Sequence, residues 1–177
     1  PYEADRVSLM AESFGGDAIF DNDTYYSASL LPSVMSMSGI SKFSASDLNK
    51  QLSGKVASAG TYVQSYSHGV SGSSSVKDVE AMLQLVYLQF TAPRFNEDDF
   101  ATLMNRYNTM LANQMSNPDF LFQQKLVSTL YGGNYRRQQL TPELLETVKL
   151  EQMPEVHKRL YSNAVDFSFR IIGNIDA

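Results

Sequence analysis

The sequence predicts an α+β domain, with a mostly antiparallel sheet and helices packed on one of its faces. Three observations predict it. Apolar residues alternate at Val7, Leu9 and Ala11 near one end and at Phe167, Phe169 and Ile171 near the other, which marks strands. Residues 55–75 read as a hairpin rich in Ser, Gly, Val and Tyr. Between the hairpin and the last strand the helical patterns come as a block, without regular βα alternation. A chain of 177 residues that is 43% hydrophobic buries a core without a disulfide or a metal, so residues 1–177 are taken as one domain.

The first strand runs to Phe14, with Arg6, Ser8 and Met10 on its wet face, and Gly15-Gly16 ends it. Residues 24–38 are apolar enough for a helix, which Pro32 should kink. Ser44 with Asp47 forms a capping box for a short helix ending near Leu52. In the hairpin, Val56, Tyr62, Tyr66 and Val70 are the candidate inward residues, and Ser71-Gly-Ser-Ser-Ser75 feeds the next helix. That helix carries Val79, Met82, Leu83, Val86, Tyr87 and Phe90 at helical spacing. Asn96 caps another, whose stripe is Phe100, Leu103, Met104, Tyr107, Met110 and Leu111. Asn117-Pro118 starts a third, with Leu121, Phe122, Leu126 and Leu130. These three stripes should pack on one sheet face, burying Leu83 and Leu103. Thr141-Pro142 opens a short helix with Leu144, Leu145 and Val148, and residues 150–161 form the last helix before a strand over 166–175.

The composition removes several classes of chemistry. With no cysteine there is no thiol nucleophile and no Cys-based metal site. A net charge of −5 argues against nucleic acid as a partner. No apolar run approaches the roughly 18–20 residues that span a bilayer. His68 and His157, the two histidines, lie on separate elements, and the expectation for each is a surface or capped side chain rather than a ligand.

Six phrases in order resemble one homologous half of the insulinase/pitrilysin-type zinc metallopeptidases, the inverzincins. They are Ser13-Phe-Gly-Gly16, Ser29-Leu-Leu-Pro-Ser33, Asp47-Leu-Asn-Lys-Gln-Leu52, the hairpin, the Thr91-Ala-Pro-Arg-Phe95 ending, and Tyr131-Gly-Gly-Asn-Tyr-Arg-Arg-Gln-Gln-Leu-Thr-Pro-Glu-Leu144; Phe169-Arg-Ile-Ile-Gly-Asn-Ile-Asp176 is similar to the closing strand. In active halves H-x-x-E-H gives two imidazoles to one zinc, with a glutamate beside the metal-bound water. Here Ser29, Pro32 and Ser33 stand at those places, and Asn113 or Gln114 near the third-ligand position. The resemblance therefore implies a non-catalytic half, most similar to a C-terminal one, inactive alone and with no metal or cofactor of its own. Zinc belongs to the catalytic half of the parent, in the same chain or a paired subunit.

The resemblance further implies that this half encloses a peptide-degrading chamber and offers an edge strand to the substrate backbone. Lys55, Val56, Ala57, Ser58 and Ala59 are the candidate contacts, with Arg136 and Arg137 as candidate carboxylate binders. The Arg and Tyr that many relatives direct at substrate are not carried over, because Lys50 and Val56 or Ala57 stand there. Relatives also have a strand ahead of Val7, which this chain is expected to lack, leaving an open sheet edge. A bacterial periplasm or envelope location is implied too. Two alternatives stand beside this reading, a catalytically dead assembly subunit and a separate peptide-binding module. An H-x-x-E-H upstream in the same reading frame selects the first.

Overall fold

The computed structural model describes residues 5–174. Among these, four strands form one antiparallel sheet in the order β2-β3-β1-β4: β1 is Arg6–Phe14, β2 Ala57–Val63, β3 Ser67–Ser75 and β4 Ser168–Gly173. The α+β expectation holds. Alternation along β1 turns Val7, Leu9 and Ala11 inward, exposed by 0, 3 and 0%, opposite Ser74, Gly72 and Val70 of β3. Small residues on β3 let a helix approach closely; a Cβ at Gly72 would lie 2.9 Å from Cγ of Met82. β1 pairs with β3 on one side and with β4 on the other. The open edges among the described residues are β2 and β4. Ile175 and Asp176, at the end of the closing phrase, lie outside the described residues.

Helix α1, Tyr25–Ser38, buries Ala28, Leu31, Val34 and Met35 in the hydrophobic core. It continues through Pro32, which lacks the N–H that would bond the carbonyl of Ala28. Four helix starts stand on the caps read from the sequence. Ser44 Oγ accepts from the Asp47 N–H at 3.1 Å to open α2, Ala45–Gln51, and Asn96 Oδ1 from the Asp99 N–H at 3.0 Å to open α4, Glu97–Met115. Asn117 caps α5, Pro118–Leu130, and Thr141 caps α6, Pro142–Leu145. A 3-10 turn at Leu150–Gln152 leads into α7, Met153–Tyr161.

Two helix faces differ from expectation. On α3, Val79–Thr91, the buried residues are Ala81, Met82, Leu85 and Val86, whereas Leu83 and Tyr87 are 41% and 65% exposed. The helix is apolar nearly all round, so the fit of Met82 over Gly72 rather than the period selects its face. Leu103 of α4 is buried as expected. On α5, by contrast, Leu121, Phe122, Leu126 and Leu130 are all exposed, because that helix lies along α4 instead of the sheet. In the hairpin Val70 is fully buried, but Val56 and Tyr66 face solvent at a strand entry and at the turn.

Both histidines are buried, which overturns their reading as surface residues. Nε2 of His68 bonds the Leu160 carbonyl at 2.8 Å, and Nδ1 accepts from the Gly16 N–H at 3.3 Å. Nε2 of His157 bonds the Gln89 carbonyl at 2.8 Å. Elements distant in sequence thus bring the two rings together on Tyr161, at 5.5 and 5.1 Å between centroids.

The groove between helix α1 and the edge strand β2

Helix α1 and strand β2 border a groove of about 340 Å3, lined by Pro32, Met35, Ile40, Leu48, Ala59 and Thr61 among others. The phase of the β2–β3 ladder decides what the strand offers to it. The Gln64 N–H donates to the Ser67 carbonyl and the Ser75 N–H to the Val56 carbonyl, at 2.8 and 2.9 Å. Hydrogen-bonded pairs recur every second residue, so Ser58, Gly60 and Tyr62 also pair inward to β3. Ala57, Ala59, Thr61 and Val63 therefore turn their N–H and C=O groups to the open side. This is a sheet edge with main-chain donors and acceptors facing an apolar-floored cleft.

The three residues that the resemblance sets at the motif positions, Ser29, Pro32 and Ser33, lie on the adjoining helix. Pro32 lines the groove itself. Ser29 Oγ donates to Asp17 Oδ2 at 2.9 Å, and burial pushes the Asp17 carboxyl up while the Ser29 hydrogen bond and the Arg136 charge pull it down. Ser33 Oγ lies 3.2 Å from the hydroxyl of Tyr107 on α4. Both serines are half-buried and hydrogen-bonded rather than free on the helix surface. Asn113 is exposed on α4 and Gln114 half-buried, whereas the α4 side chain that meets Ser33 is Tyr107.

This donor set does not suit zinc. Two hydroxyls already engaged, a proline and a phenol supply no imidazole, and the Asp17 carboxylate beside Ser29 is a single ligand where a zinc site takes three or four. Among the described residues no group of three or more His, Asp or Glu is arranged to hold a metal ion. Among the described residues neither hydroxyl is hydrogen-bonded to an imidazole or an amine: Ser29 donates to the Asp17 carboxylate, and Ser33 meets a phenol.

The remaining candidates divide between the groove and a separate loop. Lys55, Val56 and Ser58 are exposed, and Ala57 and Ala59 half-buried, at the entry to β2. Arg136 instead clamps the turn before α1, donating from Nη2 to the carbonyls of Ala18 and Phe20 at 3.0 Å each, with its guanidinium 4.9 Å from the Tyr135 ring centroid. Tyr26 donates to the Tyr135 carbonyl at 3.0 Å and ties the same loop to the helix; burial lifts its own hydroxyl to about 12. The Arg137 guanidinium lies 5.5 Å from the Tyr131 ring centroid, and neither arginine lines the groove. Sequence reading missed Gln89, which does line it and whose Nε2 donates to the Ala59 carbonyl at 3.2 Å. The signal was present: a glutamine three and seven residues beyond Val86 and Met82, on the apolar face of α3.

No protein-family model matches the sequence. The chain is 22% identical over 173 residues to the probable zinc protease PqqL of Escherichia coli, a match covering 98% of this chain and 18% of that protein. It superposes on the crystal structure of the periplasmic protease PqqL from Escherichia coli with a TM-score of 0.82, covering 98% of this chain and 19% of that one at 22% identity. On the M16 peptidase inactive domain from Pseudomonas fluorescens the TM-score is 0.79 at 19% identity, covering 99% of this chain and 43% of that one. The chain thus spans under a fifth of the length of the protease it matches. In its four-stranded antiparallel sheet, its helix layer and its likeness to these proteins, the chain resembles a non-catalytic half-domain of the M16, or insulinase/pitrilysin-type, zinc metallopeptidases.

Proposed function

We propose that this chain is the non-catalytic half of a zinc-dependent endopeptidase, which helps to enclose the chamber and holds peptide substrate along β2. The catalytic half, with its zinc, sits in the same polypeptide or in a paired subunit. The single observation that supports this reading is the open sheet edge at Ala57, Ala59 and Thr61, which no other strand covers among the described residues, beside the helix that carries Ser29, Pro32 and Ser33. Main-chain pairing suits a peptidase lobe, because it recognises an extended backbone whatever its side chains. Lys55, Val56 and Ser58 extend the contact at the strand entry. A periplasmic location follows by likeness to the Escherichia coli protease, whose structure is described as periplasmic.

A blocked, uncharged hexapeptide titrated into the isotopically labelled chain tests the pairing. The amide resonances of Ala57, Ala59 and Thr61 are expected to move together. N-methylation of alternate peptide nitrogens should weaken binding by up to about tenfold in one phase and little in the other, since only one set of N–H groups faces the strand. Equal losses in both phases, or shifts scattered away from β2, would contradict it.

A further inference from the structure

We propose that the Gln89 side chain is the resident occupant of the β2 edge, standing in for one peptide N–H at Ala59 and leaving when a peptide strand pairs there. The proposal rests on the peptide-binding reading above and names what regulates that site. The Nε2 donor of Gln89 lies 3.2 Å from the Ala59 carbonyl, one of the groups the ladder phase turns outward. A strand pairing with β2 would place its own N–H at that oxygen.

The surroundings hold the helix backbone in place and leave release to the side chain. The Gln89 carbonyl is held by Nε2 of His157 at 2.8 Å, and Val86 and Met82, one and two turns back, are buried under the sheet. Withdrawal of the amide therefore needs only side-chain rotation. An acceptor left bare in a half-buried cleft is costly, so a glutamine there satisfies the edge in the absence of peptide and blunts it against unspecific strand pairing. The groove's lining contains no charged side chain, with Pro32, Met35, Ile40 and Leu48 providing its apolar floor and Ser36 and Asn49 its polar margin. The occupant that fits is an extended segment of uncharged residues.

The test compares wild type with Gln89→Leu and Gln89→Glu, using an acetylated and amidated heptapeptide of Leu, Val, Ala and Thr. Leucine removes the donor, and a carboxylate is repelled by the carbonyl. Both variants should bind about three- to tenfold more tightly, the range of one hydrogen bond no longer in competition. In wild type the Gln89 side-chain amide protons should move to solvent-like positions at saturation. Unchanged or weaker binding in both variants, with the peptide still mapping to β2, would overturn the Gln89 role and leave the peptide-binding reading standing. Absence of binding to all three proteins, each showing a dispersed folded spectrum, would overturn both.

Discussion

Replacing Tyr161 with Ala is expected to destabilise the chain by about 3–5 kcal/mol, and replacing it with Phe by about 0.5–1.5 kcal/mol, measured by urea unfolding. Tyr161 is 1% exposed and occupies the junction of the sheet with α3 and α7. Its ring stacks on His157, meets His68 edge-on, and lies 6.0 and 6.1 Å from the rings of Phe90 and Phe167. Its hydroxyl donates to the Tyr62 and Gly69 carbonyls at 2.9 and 3.3 Å, a facing pair on β2 and β3. Burial pushes its ionisation far up, so the phenol remains a donor at every physiological pH. The Ala variant loses packing, stacking and staple together. The Phe variant loses only the staple, because both carbonyls are members of the sheet ladder. An Ala loss below about 1 kcal/mol would show that the cluster is not the core's centre.

The second large effect is acid sensitivity. His68 and His157 both have pKa values lowered by burial, with the carbonyls of Leu160 and Gln89 pulling in the opposite direction. No carboxylate is among the influences on either ring, and Tyr161 is the titratable group packed against both. The unfolded rings titrate near 6.5, so above that pH neither state binds the proton and the stability is intact. As pH falls below 6.5 the unfolded chain takes up protons that the folded chain refuses. Stability is lost until the folded pKa values are passed, at a slope of at most about 1.4 kcal/mol per pH unit for each ring. His68 has a further obstacle, since protonating Nδ1 removes the acceptor of the Gly16 N–H.

The lowered carboxyls of Asp21, Asp47, Asp78 and Glu143 add their loss only at lower pH, starting at their unfolded values and continuing as pH falls through their folded ones. Asp17, whose carboxyl is raised, acts in the opposite sense: its contribution is present at the acid end and fades as pH rises through its folded pKa. Unfolding free energies between pH 7 and 5 should therefore fall steeply in wild type and much less in a His68→Gln, His157→Gln double variant. Parallel slopes would remove the histidines from the account.

The parts of the fold legible in the sequence are those decided by local chemistry. The side-chain caps of Ser44, Asn96, Asn117 and Thr141 act within three residues of themselves, and the alternation of Val7, Leu9 and Ala11 needs only a wet face and a dry one. What was not legible depends on partners far along the chain. Leu83 and Leu85 are equivalent to a periodicity argument, and only Met82 over Gly72 separates them. The burial of His68 and His157 comes from β3, α3 and α7 converging on one tyrosine. At the site, Ser29, Pro32 and Ser33 were readable as positions of interest through the family resemblance. Their actual partners, Asp17 and Tyr107, were not, nor was the reach of Gln89 across to Ala59.

The proposal that this lobe is catalytically empty is tested most directly by zinc content with peptidase activity. After equilibration with zinc and dialysis, the purified chain should retain well under one equivalent and cleave no peptide. Ser29→His with Ser33→His should leave that unchanged, because two imidazoles fall one ligand short and Tyr107 occupies the facing position on α4. One tightly held zinc per chain, lost on replacing His68 or His157 and accompanied by peptide cleavage, would contradict the claim.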